Sequence, residues 1–146
     1  MAAKTVYLAT AVAAELTAAT LSQAFTVVRT YVPAWKIDDL ATAKLAVVSA
    51  DQTEETLTRA TVDGRYEVQV GFAKRTTAEA TAANDAMLLL VQEAADLFRV
   101  TLGRDLEDVA GAKLVGYRFG PLYDVARLRE TGIFYAVLSL VYAAER

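Results

Sequence analysis

From Thr76 to Arg99 the apolar residues recur in steps of three and four, at Ala80, Ala83, Met87, Leu90, Val91, Ala94, Leu97 and Phe98. That spacing gathers them on one side of an α-helix. Glu79, Asp85, Gln92, Glu93, Asp96 and Arg99 fall largely on the other side. Thr76 or Thr77 can cap the first turn, and Gly103 ends the run. Such a helix, about 35 Å long, needs a flat apolar partner. Arg65 to Lys74 supplies one. Tyr66, Val68, Val70 and Phe72 alternate there with polar or small residues, the period of a strand with one buried face.

The remaining elements follow in chain order. Leu8, Val12, Leu16 and Ala19 form a helical stripe near the N-terminus. A leader with Val6–Ala14 as its apolar region and Ala11-Val12-Ala13 as its cleavage box fits less well, because Thr10 and Glu15 interrupt the run. Phe25 to Val32 is β-branched and aromatic and is closed by Pro33, so it predicts a strand. A loop and a short helical turn follow through Leu40, then a short strand from Leu45 to Ser49. Asp51 to Glu55 reads as a polar loop. Leu57 to Thr61 predicts a strand before a hairpin turn at Asp63-Gly64.

Beyond the long helix, Arg104 to Ala110 is a polar connection and Leu114 to Phe119 a short strand ended at Gly120-Pro121. Tyr123 to Glu130 reads as an extended segment. Gly132 to Ala144 is apolar on both faces and predicts a strand placed centrally in the sheet or beneath a partner. The expected fold is α+β: a mainly antiparallel sheet with the long amphipathic helix and the N-terminal helix packed on one face. Residues 1–146 are expected to form a single domain.

Composition narrows the chemistry. The chain has 146 residues, 55% of them apolar, with a net charge of −3. It lacks the basic stripe of a nucleic-acid-coating protein. It contains neither Cys nor His. Disulfides, thiolate chemistry and Cys-based zinc sites are therefore excluded, and so are the commonest general base and transition-metal ligand. Asp38-Asp39 and Glu54-Glu55 are adjacent pairs, which suit solvated turns better than converging catalytic carboxylates. Glu93 and Asp96 lack a further ligand for a cation. No glycine-rich phosphate loop or nucleophile elbow is present. The expectation is a protein that is not an enzyme, with no catalytic, cofactor or metal site. No stretch reaches the roughly 20 apolar residues of a membrane span. The most suggestive surface cluster is Trp35 with Tyr31 and Ile37, beside Pro33.

Three stretches together resemble the small tail-terminator (tail-completion) or neck proteins of long-tailed bacteriophages. They are FTVVRTYVPAWKIDDLATAKLAVVSA, then GRYEVQVGFAKRT with the acidic helix LLLVQEAADLFR, and the closing FYAVLSLVYAAER preceded by Arg-Glu. The N-terminal helix and Leu102 to Tyr123 take no part in the resemblance. It implies a structural virion protein of the tail or neck, made in the host cytoplasm. Such proteins form a homohexameric ring at the head-proximal end of the tail tube, ending its polymerisation and offering a surface for head docking. The implied partners are further copies, the tail tube protein below and a head-tail connector above. DNA would pass through the channel without specific binding, and a mildly acidic chain suits that passage.

Ring closure requires a heterologous interface. The residues assigned to it are Tyr31, Trp35 and Ile37 in one loop, and Glu54, Glu55, Arg59 and Arg65 around the hairpin. Three alternatives stay open. A head-tail connector ring of the neck shares the same features. A small α+β enzyme or ligand-binding domain would show a polar pocket, for instance one lined by Asp38, Arg29 and Tyr66. A dimeric adaptor would use Trp35 as its anchor.

Overall fold

The computed structural model describes residues 3–33, 35–59, 62–100, 113–120 and 122–145. Its elements, in order, are α1 (Lys4–Ala18), β1 (Phe25–Arg29), a 3-10 helix (Ile37–Ala41), β2 (Ala43–Thr56), β3 (Val62–Arg75), α2 (Thr81–Val100), β4 (Lys113–Phe119), α3 (Val125–Thr131) and β5 (Ile133–Glu145). The strands form one sheet in the order β1-β2-β3-β5-β4. Every pairing is antiparallel except β1 with β2. This is the expected α+β fold.

The alternation in β3 decides which face is buried. Tyr66, Val68, Val70 and Phe72 are fully enclosed. They pair with Tyr142, Leu140, Leu138 and Ala136 of β5, which point the same way. Leu45 and Val47 of β2 continue this inner face. Over it lie Leu8, Val12 and Leu16 of α1 and Met87, Leu90, Val91, Ala94 and Phe98 of α2, all in one core. α1 covers β1, β2 and β3, whereas α2 covers β5 and β4. The strand apolar on both faces, β5, is an interior strand as its composition demanded.

Five expectations from the sequence are corrected. Asp51 to Glu55 is not a loop, because β2 runs unbroken in the sheet to Thr56 apart from a register shift between Ser49 and Asp51. Asp63-Gly64 is not the hairpin turn; both residues lie within β3, paired with Glu55 and Glu54. Gly64 serves a different purpose there. The Tyr66 ring lies so close that a Cβ on Gly64 would sit 2.7 Å from its carbons. Tyr123 to Glu130 is not extended, since most of it forms α3. Asp124 caps that helix by accepting from the Arg127 N–H at 3.1 Å, and Gly132 closes it in the left-handed conformation.

Finally, α2 starts at Thr81, so neither Thr76 nor Thr77 caps it. Thr76 is instead a buried joint. Its N–H donates to the Gly132 carbonyl at 2.8 Å and its hydroxyl to Asn84 Oδ1 at 2.8 Å. The expected connection at Arg104 to Ala110, the stop at Gly103 and Pro121 lie outside the described residues. Leu57–Arg59 falls between the two strands rather than within either.

Burial holds the Tyr142 hydroxyl protonated well above the usual tyrosine range, and the charge of Glu15 adds to the effect. Both effects penalise the ionised form, so stability is unaffected below the ordinary tyrosine pKa of about 10 and falls as pH rises above it.

Gly132 has φ +68°, and a Cβ there would lie 2.9 Å from the Thr76 carbonyl oxygen. Gly132→Ala is expected to lower stability by about 1–3 kcal/mol in urea unfolding. An unchanged midpoint would contradict the tight joint between α3, β5 and the start of α2.

Candidate interaction surfaces

Among the described residues, open grooves mark the surface at three places of note. The first, of about 590 Å³, runs along the connection from α1 to β1 and is lined by Thr17, Thr20, Ser22 and Gln23 among others. The connection is tied down to α2. The Ser22 N–H donates to Glu93 Oε1 at 3.2 Å, and the Ser22 hydroxyl donates to the same oxygen. Glu93 is therefore a tether rather than half of a cation site with Asp96, which pairs with Arg99 at 3.4 Å. Lys74 Nζ donates to Gln23 Oε1 at 2.9 Å, joining the connection to β3.

The second groove, of about 350 Å³, holds Pro33, Trp35, Leu40, Ala73, Arg127 and Tyr135. It lies on the outer face of the sheet, because Ala73 and Tyr135 pair out of phase with the buried set. Tyr135 has two partners there. The Arg127 guanidinium sits 4.4 Å from its ring centre and the Trp35 ring 6.4 Å away. The third groove, of about 220 Å³, lies between α2 and α3 and is floored by Phe134 and Tyr123.

The seven residues assigned to an interface fall into two groups. Tyr31 is 67% exposed, with the Arg29 guanidinium 5.6 Å from its ring centre. Trp35 is half-buried on Tyr135. Ile37 opens the 3-10 helix, and its side chain lies outside the described residues. Glu54, Glu55, Arg59 and Arg65 are all exposed, along the hairpin of β2 and β3. Arg65 pairs with Thr53 across the hairpin and forms an ion pair with Asp63 at 3.3 Å. The Trp35 loop packs near Ala73, about 27 Å along β3 from Arg65, whereas Tyr31 follows the end of β1, where Arg29 is level with Val47 and Val70. The groups form two surfaces. The hypothetical pocket of Arg29 and Tyr66 does not assemble, because Tyr66 is sealed in the core and Arg29 turns to Tyr31. Among the described residues, no group of three or more acidic side chains is placed to hold a metal ion. No described helix is long and apolar enough to cross a membrane.

Sequence reasoning passed over the sheet's margins. Beyond Val47, where β1 stops, β2 continues to Thr56 with no described strand on its outer side. β4 ends the sheet on the opposite side. Val115 and Tyr117, exposed on β4, were the available signal.

The chain matches no known family model and none of the curated proteins. It is similar in structure to the sheath/tube terminator of an extracellular contractile injection system (PVC), solved by cryo-EM in the extended state. The TM-score is 0.50 at 14% identity over 97% of this chain. The match spans only 56% of that terminator's length, and at this identity the likeness is one of fold.

Trp35→Ala is expected to cost about 1 kcal/mol, since it removes a ring pair from the outer face. Tyr31→Ala should shift stability by less than about 0.5 kcal/mol. Chemical denaturation of the two variants checks this, and equal losses would contradict the different roles assigned to them.

Proposed function

We propose that this protein is a terminator subunit of a long tail-like tube, which assembles as a ring on the tube end and stops its growth. The observation that carries this is the fold likeness to a sheath/tube terminator over nearly the whole chain. The phage tail-terminator resemblance of the sequence points the same way by a separate route. The sheet favours it too, since no described strand pairs with the outer side of β4 or with β2 beyond Val47, where neighbours could add. In this role the protein does structural work and is not an enzyme. Its partners are further copies of itself, the tube protein below and a head-side connector above, in the tail or neck of a virion or a related particle. DNA would pass the ring without sequence-specific contact.

The test is tube growth. Purified protein added to polymerising tube subunits should give short tubes, each with a density on one end by negative-stain microscopy. Tubes of unchanged length with bare ends would reject the terminator role. Binding of the protein to the connector alone would move it to the neck.

A further inference from the structure

The two margins of the sheet are opposite in charge and level with one another. Thr53 pairs with Arg65, Arg65 with Ala143 and Ala143 with Lys113. Thr53 and Lys113 therefore sit on one line across the sheet, at its two ends. Val48, Gln69, Ser139 and Arg118 form a parallel line lower down. β4 thus spans the height of β2 from Val47 to Thr53, most of the stretch left open by β1. The register shifts also correspond. The one between Ser49 and Asp51 and the one between Leu114 and Gly116 adjoin the line that joins Asp51 to Gly116.

Charge divides the margins. The open part of β2 carries Asp51, Glu54 and Glu55 and no basic residue, whereas β4 carries Lys113 and Arg118 and no acidic one. On the outer side, Asp51 and Glu55 flank the line on which Lys113 lies. Strand direction agrees as well. From β2 through β3 and β5 to β4 there are three antiparallel steps, so β2 and β4 run in opposite directions.

We infer that β4 of one copy pairs antiparallel with the open margin of β2 in the next, so that the sheet continues from subunit to subunit. The occupant of each margin is a second copy of this chain, and the pairing rests on the ring-forming role proposed above. Copies related by rotation about an axis along the strands keep their levels. Lys113 then falls between the partner's Asp51 and the partner's Glu55. Pairing supplies main-chain hydrogen bonds to both edges, and exposed Val115 and Tyr117 gain cover. The charges select the partner: β2 repels β2 and β4 repels β4, leaving the unlike pair. Because the margins differ, the contact is heterologous and able to close into a ring.

The chain contains no Cys, so a double variant, Thr53→Cys with Lys113→Cys, tests the pairing cleanly. Both positions are exposed. Within one chain they are three strand spacings apart, about 14 Å, too far for a disulfide, which needs Cα atoms within about 7 Å. Mild oxidation should yield a ladder of covalent multimers that collapses on reduction, while each single variant stops at dimers. Lys113→Glu should weaken self-association by about tenfold. Mixing it with the Asp51→Lys, Glu55→Lys variant should restore association.

Multimers without a ladder would overturn the pairing and leave the terminator role standing. A ladder from protein that fails to cap tubes would keep the pairing and remove that role. A protein that stays monomeric and forms no ladder would overturn the pairing outright.

Discussion

Burial of one face of β3 and β5 is the constraint on which the rest depends. Tyr66, Val68, Val70 and Phe72 meet Leu138, Leu140 and Tyr142 side by side, and both long helices close over them. Removing any one of the larger side chains would cost about 2–5 kcal/mol, by lost transfer energy and by the cavity left behind. No disulfide shares that burden. The helices lie where they do because this is the apolar face. α3 and the Thr76 joint then fix the start of α2 against the start of β5.

One strand of the sheet, β2, outruns the core. From Asp51 to Thr56 every residue of β2 is exposed, and the ladder with β3 continues there for about 20 Å. β5 accompanies it as far as the pairing of Asp63 with Glu145. This polar end of β2 gains little from burial, although Tyr66 of β3 and Tyr142 and Ala144 of β5 beside it lie in the core. Its unpaired backbone groups are a hazard unless charge guards them or a partner fills them. In this molecule the guards are of one sign on each margin. That arrangement suits a subunit whose neighbours complete it.

How much was legible in the sequence followed from how strongly the core imprinted a period. β3 and the α2 stripe were plain, since Tyr66 to Phe72 and Met87 to Phe98 each present one face to the same interior. The extension of β2 was not, because a strand without a core beneath it shows no alternation, so Asp51 to Glu55 looked like a loop. Asp63-Gly64 misled for a local reason. Its glycine makes room for the Tyr66 ring rather than for a turn. α3 is too short to display helical periodicity, and only its caps, Asp124 and Gly132, announced it. Of the residues assigned to an interface, Glu54 and Glu55 lie exposed near the end of β2. Trp35 was ambiguous by nature, and its ring proves to lean on Tyr135. The basic margin on β4 escaped notice because Lys113 and Arg118 become a surface only once strand order is known.

The central claim is that the chain is one unit of a closed assembly, so its mass in solution is the most direct test. Light scattering across a wide concentration range should report a discrete multiple of 15.7 kDa, reached by the protein alone or on tube ends. A single 15.7 kDa species at every concentration, with tubes present as well as absent, would contradict the account.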